Sequence, residues 1–83
     1  MRIDKYLKNS RLIKRRTVAN EACDSGRVLI NGKTAKPGSE VRSGDIVSIR
    51  FGEHLNQYKV LSTAETARKE QAPDMYLAIE ENE

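Results

Sequence analysis

The sequence predicts an α+β fold: a helix pair packed on a small antiparallel sheet, followed by a short polar C-terminal tail. Three observations carry that prediction. Apolar residues recur at helical spacing as far as Cys23. The period then falls to two, most clearly across Ile46–Phe51. Between the two regimes stands Asn31-Gly32, the strongest short-range hairpin signal. At 83 residues the chain holds one small domain with a compact core.

The first helix is expected over Ile3 to Leu12. Ile3, Tyr6 and Leu7 form one apolar edge, and Lys5, Lys8 and Arg11 line another face. Asp4 falls in the first turn, where a carboxylate meets exposed N–H groups. The second helix is expected to start within Lys14–Thr17 and run to about Ser25. Val18, Ala19, Ala22 and Cys23 form its buried stripe, with Asn20, Glu21 and Asp24 on the other side. Gly26 follows as the left-handed residue that ends it. The short gap between the helices makes a tight helix–turn–helix pair.

Val28-Leu29-Ile30 reads as a short strand leading into the Asn31-Gly32 turn. Lys36-Pro37-Gly38 and Ser43-Gly44-Asp45 are further turns. In the Ile46–Phe51 strand, Val47, Ile49 and Phe51 alternate with Ile46, Ser48 and Arg50. Leu55 to Leu61 supplies a last strand with Tyr58 and Val60 on one side. This divides the chain into a domain over 1–61 and an acidic, partly ordered tail over 62–83. In the tail, Ala64 to Gln71 has helix-forming residues without an apolar stripe, and Pro73 breaks it. Met75, Tyr76, Leu77 and Ile79 dock a short terminal turn, and Glu80, Glu81 and Glu83 fray.

Charge is divided unevenly. Residues 1–36 hold ten Lys/Arg against three Asp/Glu, a net +7. Residues 37–83 hold five against nine, a net −4, so the overall +3 hides a strong asymmetry. A basic segment of this density suits a polyanion partner. The bland alternative is a solvated helical face that keeps the protein soluble. No Trp and a single Phe argue against an aromatic platform for single-stranded bases. Cys23 has no disulfide partner and falls on the apolar stripe, as a structural thiol does. His54 stands alone, so neither a zinc site nor a catalytic dyad is expected. The glycines follow no phosphate-loop spacing. Neither an enzyme nor a cofactor is expected. With no apolar leader or membrane span, the expected location is the cytoplasm.

The basic residues have an order that chemistry can use. Lys14-Arg15-Arg16 lies at the entry to the second helix, beside N-terminal amides that attract phosphate. An arginine fork engages two phosphate oxygens at once. Arg2, Lys5, Lys8 and Arg11 come from the first helix, and Lys33 and Lys36 from the first hairpin. If the elements pack as read, these charges converge on one side. Asp4 has two readings: helix stabilisation in the first turn, or orientation of Arg2 or Arg16 toward RNA.

Arg2-Ile3-Asp4-Lys5-Tyr6-Leu7, Ser10-Arg11-Leu12, Arg15-Arg16-Thr17-Val18-Ala19, Gly26-Arg27-Val28, Ile30-Asn31-Gly32, Lys36-Pro37 and Gly44-Asp45, in this order, closely resemble the S4-type RNA-binding domain over residues 1 to about 61. The resemblance implies an S4-type (alpha-L) module that grips structured RNA by shape and backbone contacts. The stand-alone pattern, with Lys14-Arg15-Arg16, Phe51-Gly52 and the Met75-Tyr76 tail, is similar to the small members of bacterial ribosome quality control. It is also similar to the heat-shock ribosome-binding branch, though the tail here is short and acidic rather than long and basic. What the resemblance implies is a monomer that binds large-subunit rRNA and peptidyl-tRNA on obstructed large subunits. It also implies a neighbouring tailing factor that adds alanine to the stalled chain without a template. By motif match Arg2 and Arg16 are the main RNA contacts, Asp4 orients them, and Lys14 and Arg15 flank them. Two other readings stand beside this one: a general ribosome-assembly or ribosome-stability factor, and a protein-interaction adaptor with a basic face.

Overall fold

The computed structural model describes residues 1–63 and 74–79. Among these residues two helices, α1 (Ile3–Asn9) and α2 (Arg16–Asp24), precede five strands: β1 (Val28–Ile30), β2 (Lys33–Thr34), β3 (Ile46–Phe51), β4 (His54–Val60) and β5 (Tyr76–Ile79). All pairings are antiparallel, in the order β2-β1-β3-β4-β5. Among the described residues no helix is long and apolar enough to cross a membrane.

Both helices are too short to hold by propensity alone, so packing fixes them. Ile3, Tyr6 and Leu7 are fully buried, as their spacing requires. The first helix stops at Asn9, three residues short of the expected Leu12. The cause is local: Ser10 caps the helix and Arg11 turns into the left-handed region at φ 63, donating its N–H to the Lys8 carbonyl. The second helix ends as its Gly26 predicts. Gly26, at φ 77, donates to the Cys23 carbonyl and Arg27 donates to Ala22, which together form a Schellman motif. Ala19, Ala22 and Cys23 are buried, but Val18 is 44% exposed and leaves the expected stripe. Burial pushes the Cys23 thiol up to about 11, assisted by the negative charges of Asp4 and Asp24.

Asn31 (φ 52) and Gly32 (φ 82) form the β1–β2 turn, with both central residues left-handed as a type I′ hairpin demands. The Asn31 side chain does more than turn the chain. Its amide donates to Asp45 and its carbonyl accepts from the Ile46 N–H, which ties the hairpin to the start of β3. Val28, Val47, Ile49 and Val60 are buried against the helices, while Phe51, on the same alternation, is 46% exposed at the end of its strand. It lies next to the β3–β4 turn, past the cover that the helices give.

The C-terminal segment departs most from expectation. Tyr76–Ile79 is a fifth strand paired along β4, not a docked turn. Met75 just before it is buried in the core, and its carbonyl accepts the Tyr6 hydroxyl proton at 2.7 Å. Tyr58 and Tyr76 pack edge to face with centroids 5.5 Å apart. Residues 75–79 therefore belong to the same packed body as the helices, and a cut before residue 72 removes part of the core. The readings of Ala64–Gln71, Pro73, Glu80, Glu81 and Glu83 lie outside the described residues.

Two substitutions test this arrangement. Met75→Ala is expected to cost about 2–5 kcal/mol, the range for truncating a buried methionine. Tyr6→Phe is expected to cost about 1 kcal/mol for the lost hydrogen bond. Urea unfolding of both variants checks this, and a Met75→Ala midpoint equal to the wild type would show that the segment is peripheral.

Candidate nucleic-acid interface

The backbone of the 37–39 loop holds the start of α1. The Ile3 N–H donates to the Ser39 carbonyl, the Asp4 N–H to Pro37, and Arg2 bridges to Glu40. That anchorage places the Asp4 side chain between the two helices, where only 2% of it is exposed. A buried carboxylate is costly unless its oxygens are paired, and here both are. Arg2 donates from Nε to Oδ1 and from Nη2 to Oδ2, each at 3.2 Å, as a two-pronged fork. The Lys5 N–H donates to Oδ1 at 2.8 Å and Asn20 Nδ2 to Oδ2 at 3.5 Å. Arg16 Nη2 stands 3.5 Å from Oδ1.

The two arginines are only half withdrawn from water, with 53% of the Arg2 side chain and 48% of the Arg16 side chain exposed. Each guanidinium is thus oriented from beneath and open above. Arg2 commits two N–H groups to Asp4, and the rest of its fork stays available. One buried carboxylate faces both guanidiniums, and Glu21 is the second acid of the site, so the lining carries two cations and two carboxylates. Arg2, Asp4, Arg16, Thr17, Asn20 and Glu21 line an open groove there. The start of α2 adds to its polarity. Arg15 is its extended N-cap residue and makes no side-chain cap, and its first turn carries no acid. Unsatisfied N–H groups at a helix start favour an anion.

Burial raises the Asp4 pKa, but Arg16, Arg2, the Asn20 amide and the Lys5 N–H together outweigh it and hold the carboxyl below the ordinary 3.8. The carboxylate is therefore charged at neutral pH and keeps both arginines fixed.

Lys8, Asn9, Arg11 and Lys14 line a second, polar depression at the other end of α1 and the turn into α2. The left-handed Arg11 is what folds this turn tightly. Lys5 is half-buried on α1, and Arg15 is exposed beside Arg16. Lys36 is exposed in the loop that docks on the start of α1. Lys33 departs from the expected convergence: it sits on β2 at the sheet edge, opposite Ile30, and lines neither depression. Asn20, assigned above to the outer side of α2, belongs to the site. Its signal was in the sequence, because Asn20 is four residues after Arg16 and shares its helix face.

Residues 1–47 match the S4 domain family. The chain belongs to that family. It is 57% identical to the RQC P-site tRNA stabilizing factor of Listeria monocytogenes, over 98% of this chain and 88% of that one. It is 49% identical to the protein of the same name from Bacillus subtilis, over 98% and 94%. Among solved structures, the trimeric structure of Vibrio cholerae heat shock protein 15 superposes with a TM-score of 0.85 at 28% identity, covering 95% of this chain and 81% of that one. The S4 match spans α1, α2, β1 and β2 and reaches the start of β3. It includes the whole Asp4 cluster.

The Asp4 ion pairs give a pH signature. A folded pKa below 3.8 adds stability that is full above that value and is lost as pH falls through the folded pKa. Wild-type stability is expected to drop on acidification below about pH 4, and Asp4→Asn to show a shallower drop from a lower starting value. Urea midpoints measured between neutral pH and the acid limb check this, and identical slopes in both proteins would remove Asp4 from the account.

Proposed function

We propose that this S4-family protein is a non-catalytic RNA clamp of bacterial ribosome quality control. It binds large-subunit rRNA and peptidyl-tRNA on obstructed large subunits in the cytoplasm, as a monomer. There it supports template-free alanine tailing of the stalled chain beside a separate tailing factor. The observation that carries the reading is the Arg2–Asp4–Arg16 arrangement: two half-exposed guanidiniums held by one buried carboxylate. The names of the relatives, P-site tRNA stabilizing factors of a ribosome-quality-control pathway, support the choice of RNA.

The physical advantage lies in pre-organisation. A free arginine side chain loses up to about 2 kcal/mol of rotamer entropy when it is fixed. Here Asp4 has already fixed much of Arg2 and Arg16 before any phosphate arrives, so more of each new hydrogen bond appears as affinity. Backbone contacts of this kind suit double-helical RNA, whose deep groove hides its bases. Lys5, Lys8, Arg11, Lys14, Arg15 and Lys36 supply the surrounding positive field and the flanking phosphate contacts.

Arg16→Ala is expected to weaken association with peptidyl-tRNA-bearing large subunits by roughly 1–3 kcal/mol, about 5- to 150-fold. Arg16→Lys keeps the charge and loses the planar fork, and is expected to fall between the two. Co-sedimentation with isolated subunits measures this. Undiminished binding by Arg16→Ala would remove the groove from the interface. Recovery of precursor rRNA with assembly factors, in place of mature subunits with tRNA, would instead favour a ribosome-assembly role.

A further inference from the structure

The helices cover one face of the sheet, and the register of the strands shows what stands on the other. Val28 pairs with Ile49, so Arg27 and Arg50 are the next cross-strand neighbours, joined by the Arg50 N–H donating to the Arg27 carbonyl at 2.8 Å. Arg50 in turn pairs with Leu55. Alternation puts these three on the side away from buried Val28, Val47 and Ile49. The following rows of that face are Leu29, Ser48, Gln57 and Ile79, then Ile46, Lys59 and Leu77. The outer face thus carries Arg27, Arg50 and Lys59, all exposed, and none of its named positions is acidic. Among the described residues, Arg50 and Lys59 make no ion pair, and the Arg27 side chain donates only to the neutral Ser25 hydroxyl.

This arrangement opposes folding. Like charges directly across a strand pair destabilise a sheet, and among the described residues no ion pair relieves Arg27 against Arg50. A polyanion would relieve it. The row spacing fits an extended ligand: Arg50 and the Lys59 row are four residues apart along β3, roughly 13 Å at strand rise. We propose that the outer sheet face is a second RNA-backbone surface, with Arg27 and Arg50 as its paired phosphate contacts and Lys59 as an outlying one. It lies across the sheet from the Arg2–Asp4–Arg16 groove, in a body whose shortest extent is 19 Å. One protein thereby presents cations to two nucleic-acid segments on opposite sides. Leu55, Leu77 and Ile79 are exposed toward the β5 edge of the same face, which makes an apolar protein partner the competing occupant. The arginine pair, with no ion-pair partner among the described residues, favours the polyanion.

The inference extends the proposed groove but does not use its residues, so the two can fail separately. The experiment measures binding of a short blunt-ended RNA duplex to the full chain across a salt series, for wild type, Arg27→Gln/Arg50→Gln and Arg16→Ala. Each lost phosphate contact lowers the slope of log K against log salt by about 0.9. The double variant is expected to lower it by about 2, with a urea midpoint equal to or above the wild type because repulsion has been removed. An unchanged slope in the double variant, or no binding of the duplex by wild type, overturns the proposal. So does salt-insensitive capture of a protein on this face. If the double variant loses slope while Arg16→Ala does not, the sheet surface stands and the groove reading falls.

Discussion

Asp4 sits between two helices with almost none of its side chain in water, and the geometry around it follows from that burial. A carboxylate removed from water must be neutralised or satisfied. The fold satisfies it with Arg2 from the start of α1, Arg16 and Asn20 from α2, and a backbone N–H from Lys5. The charge therefore works as a pin between the helices and as a mount for the arginines. Because both guanidiniums are held on one edge and open on the other, the interaction that orders the helix pair also shapes the exposed arginine-lined groove.

The pin functions only if α1 is itself fixed, and two distant pieces of chain fix it. The 37–39 loop receives the first N–H groups of the helix, and Met75 receives the Tyr6 hydroxyl from below. Hydrophobic burial of Ile3, Tyr6 and Leu7 supplies the driving force, and these hydrogen bonds supply the position. The fifth strand is consequently tied to the helix that carries Asp4, through buried Met75 and the Tyr6 hydroxyl. The asymmetry of charge along the chain does not separate it into a working half and an idle half.

The sheet has two faces with different obligations. Its inner face closes the core through Val28, Val47, Ile49 and Val60. Its outer face carries a mixture of cations and apolar residues that the core does not explain. That division of labour arises from strand alternation alone, and it places Arg27 and Arg50 where the helix-borne cations cannot reach.

Much of this was legible in the chain. Periodicity located both helices and the main strands, Gly26 marked the end of α2, Asn31-Gly32 marked the hairpin, and the motif order singled out Arg2, Asp4 and Arg16. Those features are local, set by side-chain spacing and allowed backbone angles, so the sequence by itself determined them. Others depended on contacts between residues far apart. Val18 matched an apolar stripe yet faces water, because burial is set by what packs opposite and not by hydropathy. Met75–Ile79 looked like a tail because its neighbours are polar, but pairing with β4 made it a strand. Asn20 joined the Asp4 site, Lys33 stayed outside it, and Arg27 came to lie beside Arg50. Each outcome is a matter of register or helix placement, which only the tertiary structure decided.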